Sequence, residues 1–378
     1  MKIIHLSDLH IGKIVNGYNM KEDQEYILKK ILKIIDDESP DAVIIAGDVY
    51  DKSIPSAEAV ELFDDFLVRL AKRSLQVFVI SGNHDSAERL AFGNRLIDAS
   101  GIHISPVYDG NVSCHTLMDE YGPVNFYSLP FIKPMHVRRY RPDAEIVNYT
   151  DAIREALSDI ELDNETRNVL IAHQFVTGAE TSDSEEISVG GLDNVDASVF
   201  EGFAYVALGH IHRPQNIKSE RIRYCGTPIK YSFSEAGHAK SVSVVELGAG
   251  DAFALRTIDL VPKHDMVEIK GTFDQIMDKA FYENTSYQED YMHIILTDED
   301  DVPDALTKLR VVYKNMMKMS YDNTRTRHSQ EIYAAENINQ KSELDLFREL
   351  YEMQNGKEMS DEQNEFMISI IEKLKEGR

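Results

Sequence analysis

Five short, almost wholly apolar runs punctuate the first two thirds of the chain: KIIHLS (2–7), AVIIAG (42–47), QVFVIS (76–81), NVLIAH (168–173) and YVALGH (205–210). They are β-branched, too short for helices, and bounded by Gly, Asp, Asn or His. That is the pattern of buried strands. Between the first three, the apolar positions change to helical spacing, at about 20–38 and 56–73. The second of these, IPSAEAVELFDDFLVRL, has Pro55 and Ser56 at its start, as a helix N-terminus does. Strands alternating with helices predict a layered α/β fold. SVSVVEL (241–247) and AFALRTIDL (252–260), separated by GAGD, predict a β-hairpin.

The pattern changes after residue 261. Within 262–320, the segments MVEIKG, FDQIMDKAF, YMHIILT, VPDALTKLRVV and NMMKMSY spell strand, helix, strand, helix, strand. Residues 321–340 are mostly polar and read as a linker. Residues 341–378 read as a helical hairpin. Leu346, Phe347, Leu350 and Tyr351 share one face, and Asn355-Gly356 ends the first helix. Ser360 and Gln363 form a capping-box pattern, followed by the stripe Phe366, Met367, Ile370, Ile371 and Leu374. The sequence shows no internal repeat.

Composition narrows the class. With 378 residues, 43% apolar and 28% charged, the chain has room for a large domain and additions, and its balance is that of a globular protein. No run of about 18 apolar residues is present, so no membrane span is expected. The opening MKIIHLSDLH is too short an apolar run for a signal peptide. Cys114 and Cys225 make neither a disulfide framework nor a zinc-ribbon spacing, and a reducing cytoplasmic setting is expected. The net charge of −25 runs against the basic footprint of most nucleic-acid binders.

The ends of the five apolar runs carry the chemistry. LSDLH places Asp8 and His10 at alternate positions, on one face of an extended segment. AGDVYD supplies Asp48, SGNHD supplies Asn83 and His84, IAHQF supplies His173, and LGHIHRP supplies His210 and His212. Carboxyl ends of strands in a layered sheet are where ligand sites gather. Imidazole and carboxylate without thiolate suit borderline divalent metals such as manganese, iron or zinc. Two metals about 3.5–4 Å apart need a shared carboxylate and ligands on both sides. Glycines before Asp48, Asn83 and His210 permit close backbone approach. Any one of these residues alone reads as a turn residue or a cap; five such clusters in order do not.

The order D-x-H, G-D, G-N-H-D, H, G-H-x-H resembles the calcineurin-like metallophosphoesterases, a two-metal superfamily. HLSDLHIGK, GDVYDKSIPSAEA, SGNHDSAERL, ALGHIHRPQ and YCGTPIKYSFSEAGHAKSV resemble more narrowly the bacterial SbcD family of nuclease subunits, over the whole chain. The resemblance implies a layered β-sandwich metallophosphoesterase core flanked by helices over 1–261, a small α+β capping domain over 262–320, and a C-terminal helix-loop-helix over 341–378. It implies Asp8, His10 and His212 on one divalent ion, Asn83, His173 and His210 on the other, and Asp48 bridging the two, with manganese the usual metal. His84 would lie over the scissile phosphate and assist the leaving oxygen. Asp85 would orient His84 or cap the following helix. Asp51 stands where archaeal relatives can carry a histidine, and receives no catalytic role.

The function implied is DNA phosphodiester hydrolysis, as 3′–5′ double-strand exonuclease and single-strand or hairpin endonuclease. An SbcC-type ATPase would bind the C-terminal helices, within a heterotetramer built on a homodimer. Arg138, Arg139 and Arg141, beside Tyr140, would track a DNA backbone or simply form a solvated loop. Arg213 and Lys230 divide in the same way between site and surface. Two other readings compete: a phosphomonoesterase or small-molecule phosphodiesterase of the same superfamily, and a scaffold that keeps the metal site without turnover. The GTPIKYSFSE segment, the small second unit and the tail weigh against the former, and the complete ligand set against the latter.

Overall fold

The computed structural model describes residues 1–163, 166–185 and 193–324, and beyond them positions 326, 347, 348, 351, 359, 360, 363, 364 and 367. Most of the linker and most of the tail hairpin expected from sequence lie outside the described residues. At Ser360 and Gln363 the capping box is formed. The Ser360 N–H donates to Gln363 Oε1 at 2.9 Å, and the Gln363 N–H to Ser360 Oγ at 3.3 Å.

Two six-stranded sheets pack face to face. The first runs Phe253–Asp259, Ser241–Leu247, Lys2–Leu6, Ala42–Ala46, Gln76–Ile80, Ile102–Ile104, and its last four strands are parallel. Ser241–Leu247 and Phe253–Asp259 form the expected antiparallel hairpin at one edge. The second sheet runs Gln215–Ile217, Ser219–Tyr224, Tyr205–Gly209, Arg167–His173, Gly122–Leu129, Ser113–Asp119. The five apolar runs are therefore divided, three in the first sheet and two in the second.

The continuous apolar character of these runs follows from burial on both faces. In the first sheet, Ile3, Ala42, Ile44, Ala46, Phe78 and Ile80 meet Val124, Phe126, Val169, Ile171, Tyr205 and Ala207 of the second. The alternate residues Ile4, Leu6, Val43, Ile45, Val77 and Val79 pack outward with the helices Lys21–Glu38 and Ala57–Ala71. Ser56 caps the second helix, accepting from the Ala59 N–H at 3.2 Å. Helix Tyr149–Leu157 covers the outer face of the second sheet through Leu170, Ala172, Val206 and Leu208. Between the sheets, Phe78 stacks on Phe126 with ring centroids 4.4 Å apart. Truncating either ring would cost roughly 3–5 kcal/mol.

Residues 266–321 form a three-stranded parallel sheet, Met266–Gly271, Tyr291–Leu296 and Met316–Tyr321, with short helices and its own core around Ile294, Leu309 and Tyr313. Polar contacts tie it to the larger unit. Buried Asp23 accepts from the Tyr291 hydroxyl at 2.6 Å and lies 3.0 Å from His264 Nδ1, and Lys230 pairs with Asp265 at 2.8 Å. Among the described residues, no helix is long and apolar enough to cross a membrane.

Candidate metal centre

All eight residues singled out from the strand ends converge at one end of the sandwich, where the two sheets face each other. Asp8, His10 and His212 each present a ligand atom within 4.8 Å of the others, and so do Asp8, Asp48 and His173. Asn83 Oδ1 lies 3.0 Å from His173 Nε2 and 2.8 Å from His210 Nδ1. Asp48 Oδ2 lies 3.3 Å from His173 Nε2 and 3.7 Å from His10 Nε2, between the two groups. The first sheet supplies Asp8, His10, Asp48, Asn83 and His84; the second supplies His173, His210 and His212.

The backbone is bent to bring them there. Asp8, His10, Asp48 and His210 all have positive φ, at 51°, 44°, 48° and 101°. Such conformations cost a non-glycine residue on the order of 1–3 kcal/mol, and they cluster where function requires them. Hydrogen bonds hold the turns: the Asp8 N–H to Gly47 O at 3.0 Å, the His10 N–H to Asp48 O at 2.9 Å, and the His210 N–H to Asp8 Oδ1 at 3.0 Å. Close approach explains two glycines. A Cβ on Gly82 would stand 2.1 Å from Asp48 Oδ1, and one on Gly209 would stand 1.9 Å from Ala46 O.

Asp8, His10, Asp48 and His173 are each no more than 1% exposed, and their charge states are strongly perturbed. Burial pushes the Asp8 carboxyl up to about 6. Burial would also raise Asp48, but His173 and its neighbours hold it well below the carboxylate range. His173 is lowered by burial, yet the Asp48 carboxylate outweighs this and lifts it to about 9. Burial, then the neighbouring His173, push His210 down to about 3, and burial holds His10 well below the usual imidazole value.

His173, lifted by Asp48, is the counter-charge to that carboxylate. Among the described residues, no lysine or arginine pairs with Asp8 or Asp48. The Nε2 atoms of His10 and His212 face each other at 3.1 Å, and His10 Nδ1 is buried without a hydrogen-bond partner. Buried carboxylates and converging imidazole lone pairs are costly without a cation. Oxygen and nitrogen donors of this kind fit borderline divalent ions.

Sequence reasoning left several roles open, and the structure assigns them differently. Asp85 neither orients His84 nor caps a helix. It accepts from the N–H groups of Val49, Tyr50 and Gly82 at 3.1, 2.9 and 2.9 Å, bracing the two loops that carry Asp48 and Asn83. Ser86 is the cap of the short helix Ala87–Leu90. His84 Nδ1 lies 3.0 Å from the Asp51 carbonyl, while the Asp51 carboxylate pairs with Lys13 at 2.6 Å. Arg138 donates to Ile146 O, and Arg141 pairs with Asp159, so neither is available to a ligand. Arg139 differs. It lines a groove of about 570 Å³ beside Asn83, with Lys133, His136 and Tyr140, and has no carboxylate partner among the described residues. Arg213 pairs with Glu180, and Lys230 with Asp265.

A supporting network was not foreseen. His212 Nδ1 lies 2.6 Å from Ser184 Oγ, which donates to Glu235 Oε1 at 2.5 Å. Lys240, 4% exposed, donates to Glu235 Oε2 at 2.5 Å, Thr227 Oγ1 at 2.7 Å and the His212 carbonyl at 2.8 Å. Burial would raise Glu235, but the neighbouring His212 and the Lys240 charge hold the carboxyl well below its usual range. The anionic Glu235 thus anchors Ser184, and through it His212.

With this geometry in view, residues 1–214 match the calcineurin-like phosphoesterases. The chain belongs to that family, whose members are metal-dependent phosphoesterases. Within it the chain is a homologue of a nuclease subunit: it is 32% identical over 375 residues, 98% of each chain, to the SbcD subunit of nuclease SbcCD from Staphylococcus epidermidis. Residues 262–355 match the type 5 capsule protein repressor C-terminal domain. Two solved structures are similar at 12% identity over 69% of this chain and 99% of their own: TT1561 of Thermus thermophilus, with a TM-score of 0.41, and a dimetal phosphatase from Danio rerio, with 0.40. Both likenesses are distant.

Proposed function

We propose that the chain is a manganese-dependent DNA nuclease subunit in which Asp8, His10 and His212 hold one ion, Asn83, His173 and His210 hold the second, and Asp48 bridges them. The observation that carries this reading is the convergence of seven donor side chains from two sheets onto one point, with no lysine or arginine among the described residues paired to its carboxylates. Bound there, the ions would make hydroxide available near neutral pH and neutralise phosphate oxygens as charge develops.

The chain's own groups do the rest. The Asp51 carbonyl only accepts, so His84 carries a proton on Nδ1, and Nε2 is the nitrogen left for the substrate. In its protonated form His84 donates to the leaving sugar oxygen. Asp85 keeps the Asn83–His84 turn docked against the Asp48 turn, fixing the distance between phosphate binding and proton transfer. Lys133 and Arg139, in a groove that Asp85 and Glu88 also line, are the cations beside the centre that would contact the DNA backbone.

The small unit after residue 261 caps the nuclease domain, anchored through Asp23. The tail beyond the polar linker binds an SbcC-type ATPase, in keeping with the complex named for the Staphylococcus epidermidis relative. Phe92 and Leu96, 88% and 85% exposed on the segment after Asp85, support homodimerisation through that face. The unpaired cysteines support a cytoplasmic setting.

The test is incubation with manganese and a labelled hairpin duplex, with and without the ATPase, alongside p-nitrophenyl phosphate. DNA cleavage that is lost in His84→Gln while metal is retained supports the proposal. Phosphatase activity without DNA cleavage contradicts it. A chain lacking 341–378 should keep nuclease activity and lose ATPase binding.

A further inference from the structure

A second group of metal-ligating side chains lies apart from this centre. His103 stands on Ile102–Ile104, the edge strand of the first sheet, and His115 on Ser113–Asp119, the edge strand of the second. Asp98 opens the short 3-10 helix Asp98–Ser100 just before the former. His103 Nδ1 is 2.5 Å, and His115 Nε2 3.5 Å, from the same Asp98 Oδ1, and all three donors lie within 4.8 Å of one another. We propose that Asp98, His103 and His115 form a divalent-metal site of the zinc class that clips the edge of one sheet to the edge of the other.

The hydrogen bonds of His103 leave one nitrogen for a metal. His103 Nε2 lies 2.9 Å from Gln76 Oε1, an acceptor, so Nε2 carries a proton, and Nδ1, which shares a proton with Asp98 at 2.5 Å, is the nitrogen a metal would take when it displaces that proton. An outer hydrogen bond of this kind orients metal-binding histidines. Without a metal, protons on His103 Nδ1 and His115 Nε2 both face Asp98 Oδ1; a single divalent ion would replace the two, with the His115 proton moved to its unpartnered Nδ1.

The rings are also held in place. His103 stacks on Phe78 at 5.0 Å, and the two imidazole centroids are 4.3 Å apart. Tetrahedral zinc with these ligands sets donor atoms about 3.3 Å apart. The His115–Asp98 separation already matches, and the His103–Asp98 contact opens by rotation of a carboxylate that is half exposed. Two imidazoles, one carboxylate and no thiolate leave a fourth position to water. The site does not overlap the nuclease centre. Gln76 begins the strand whose far end, Ile80, lies about 13 Å of extended chain away and leads on to Asn83.

The test uses the full chain with both ion positions of its nuclease centre disabled by His10→Gln, Asp48→Asn and His210→Gln, alone and with His115→Gln added. Bound zinc is counted by elemental analysis after equilibrium dialysis, melting temperature is followed with zinc, and folding is checked by circular dichroism. The centre-disabled chain should retain one zinc per chain, and its melting temperature should rise by roughly 5 °C at zinc one hundredfold above the dissociation constant. Adding His115→Gln should abolish both effects. His115→Gln by itself should leave manganese-dependent cleavage of the hairpin duplex unchanged. If the centre-disabled chain does not fold, the comparison is between unmodified protein and His115→Gln, which must carry one zinc fewer. A folded centre-disabled chain that binds no zinc, or zinc content indifferent to His115→Gln, overturns the proposal.

Discussion

The two histidine–aspartate clusters use the same side-chain types but hold them in opposite ways. At the nuclease centre Asp8, His10, Asp48 and His210 have positive φ, and its carboxylates are buried without lysine or arginine partners. At the sheet edge Asp98, His103 and His115 all have ordinary backbone, and Asp98 opens to solvent. The centre carries conformational strain and buried charge that no stability argument would retain, so its geometry marks a place where the fold gives up stability for function. The edge cluster carries no such cost, and a metal there would add stability rather than reactivity.

The contrast is challenged most strongly by removing a buried charge. Asp8→Asn should cut nuclease activity by about 10³-fold. Yet in chelator the variant should be more stable than the parent by about 1 kcal/mol near pH 7.5. Because burial raises the folded-state pKa of Asp8 to about 6, ionised Asp8 opposes folding above that value. The gain should vanish below about pH 4, where the carboxyl is protonated in both states. Chemical denaturation at the two pH values checks this. A loss of stability in chelator at pH 7.5 would show that the site is structural.

His84→Gln comes next, with an expected fall of about 10²–10⁴-fold in kcat and unchanged manganese content. Glu235→Gln or Lys240→Met should weaken metal binding by about 10–100-fold, because the chain through Ser184 no longer fixes His212. Calorimetric titration with manganese reads this without an activity assay. The smallest effect belongs to the groove: Lys133→Ala with Arg139→Ala should lower DNA affinity alike for all sequences and reduce the salt dependence by about one unit per residue removed.

The parts of this picture readable from sequence were those with a local signal. The five apolar runs match the observed strands to within a residue at each end, since strands buried on both faces leave no polar position to blur them. The site residues were legible because each follows directly on such a strand. The outer strands of the second sheet were not. Ser113–Asp119 alternates partly buried and exposed positions, and Ser219–Tyr224, SERIRY, is mostly polar. Gly122–Leu129 opens on Gly-Pro, a turn signal. Nothing local showed that His173 and His210 belong to a different sheet from Asp8 and Asp48. Glu235 was equally hidden: it serves His212 through Ser184, 51 residues away, and only the fold brings them together.

The mechanism stands or falls on the strand ends of two sheets jointly holding a pair of divalent ions. Crystals soaked in manganese and measured at its absorption edge give the decisive reading. Two anomalous peaks are expected about 3.5–4 Å apart, one beside Asp8, His10 and His212, the other beside Asn83, His173 and His210, with Asp48 touching both. A single peak, or none within reach of Asp48 in crystals saturated with manganese, would contradict it.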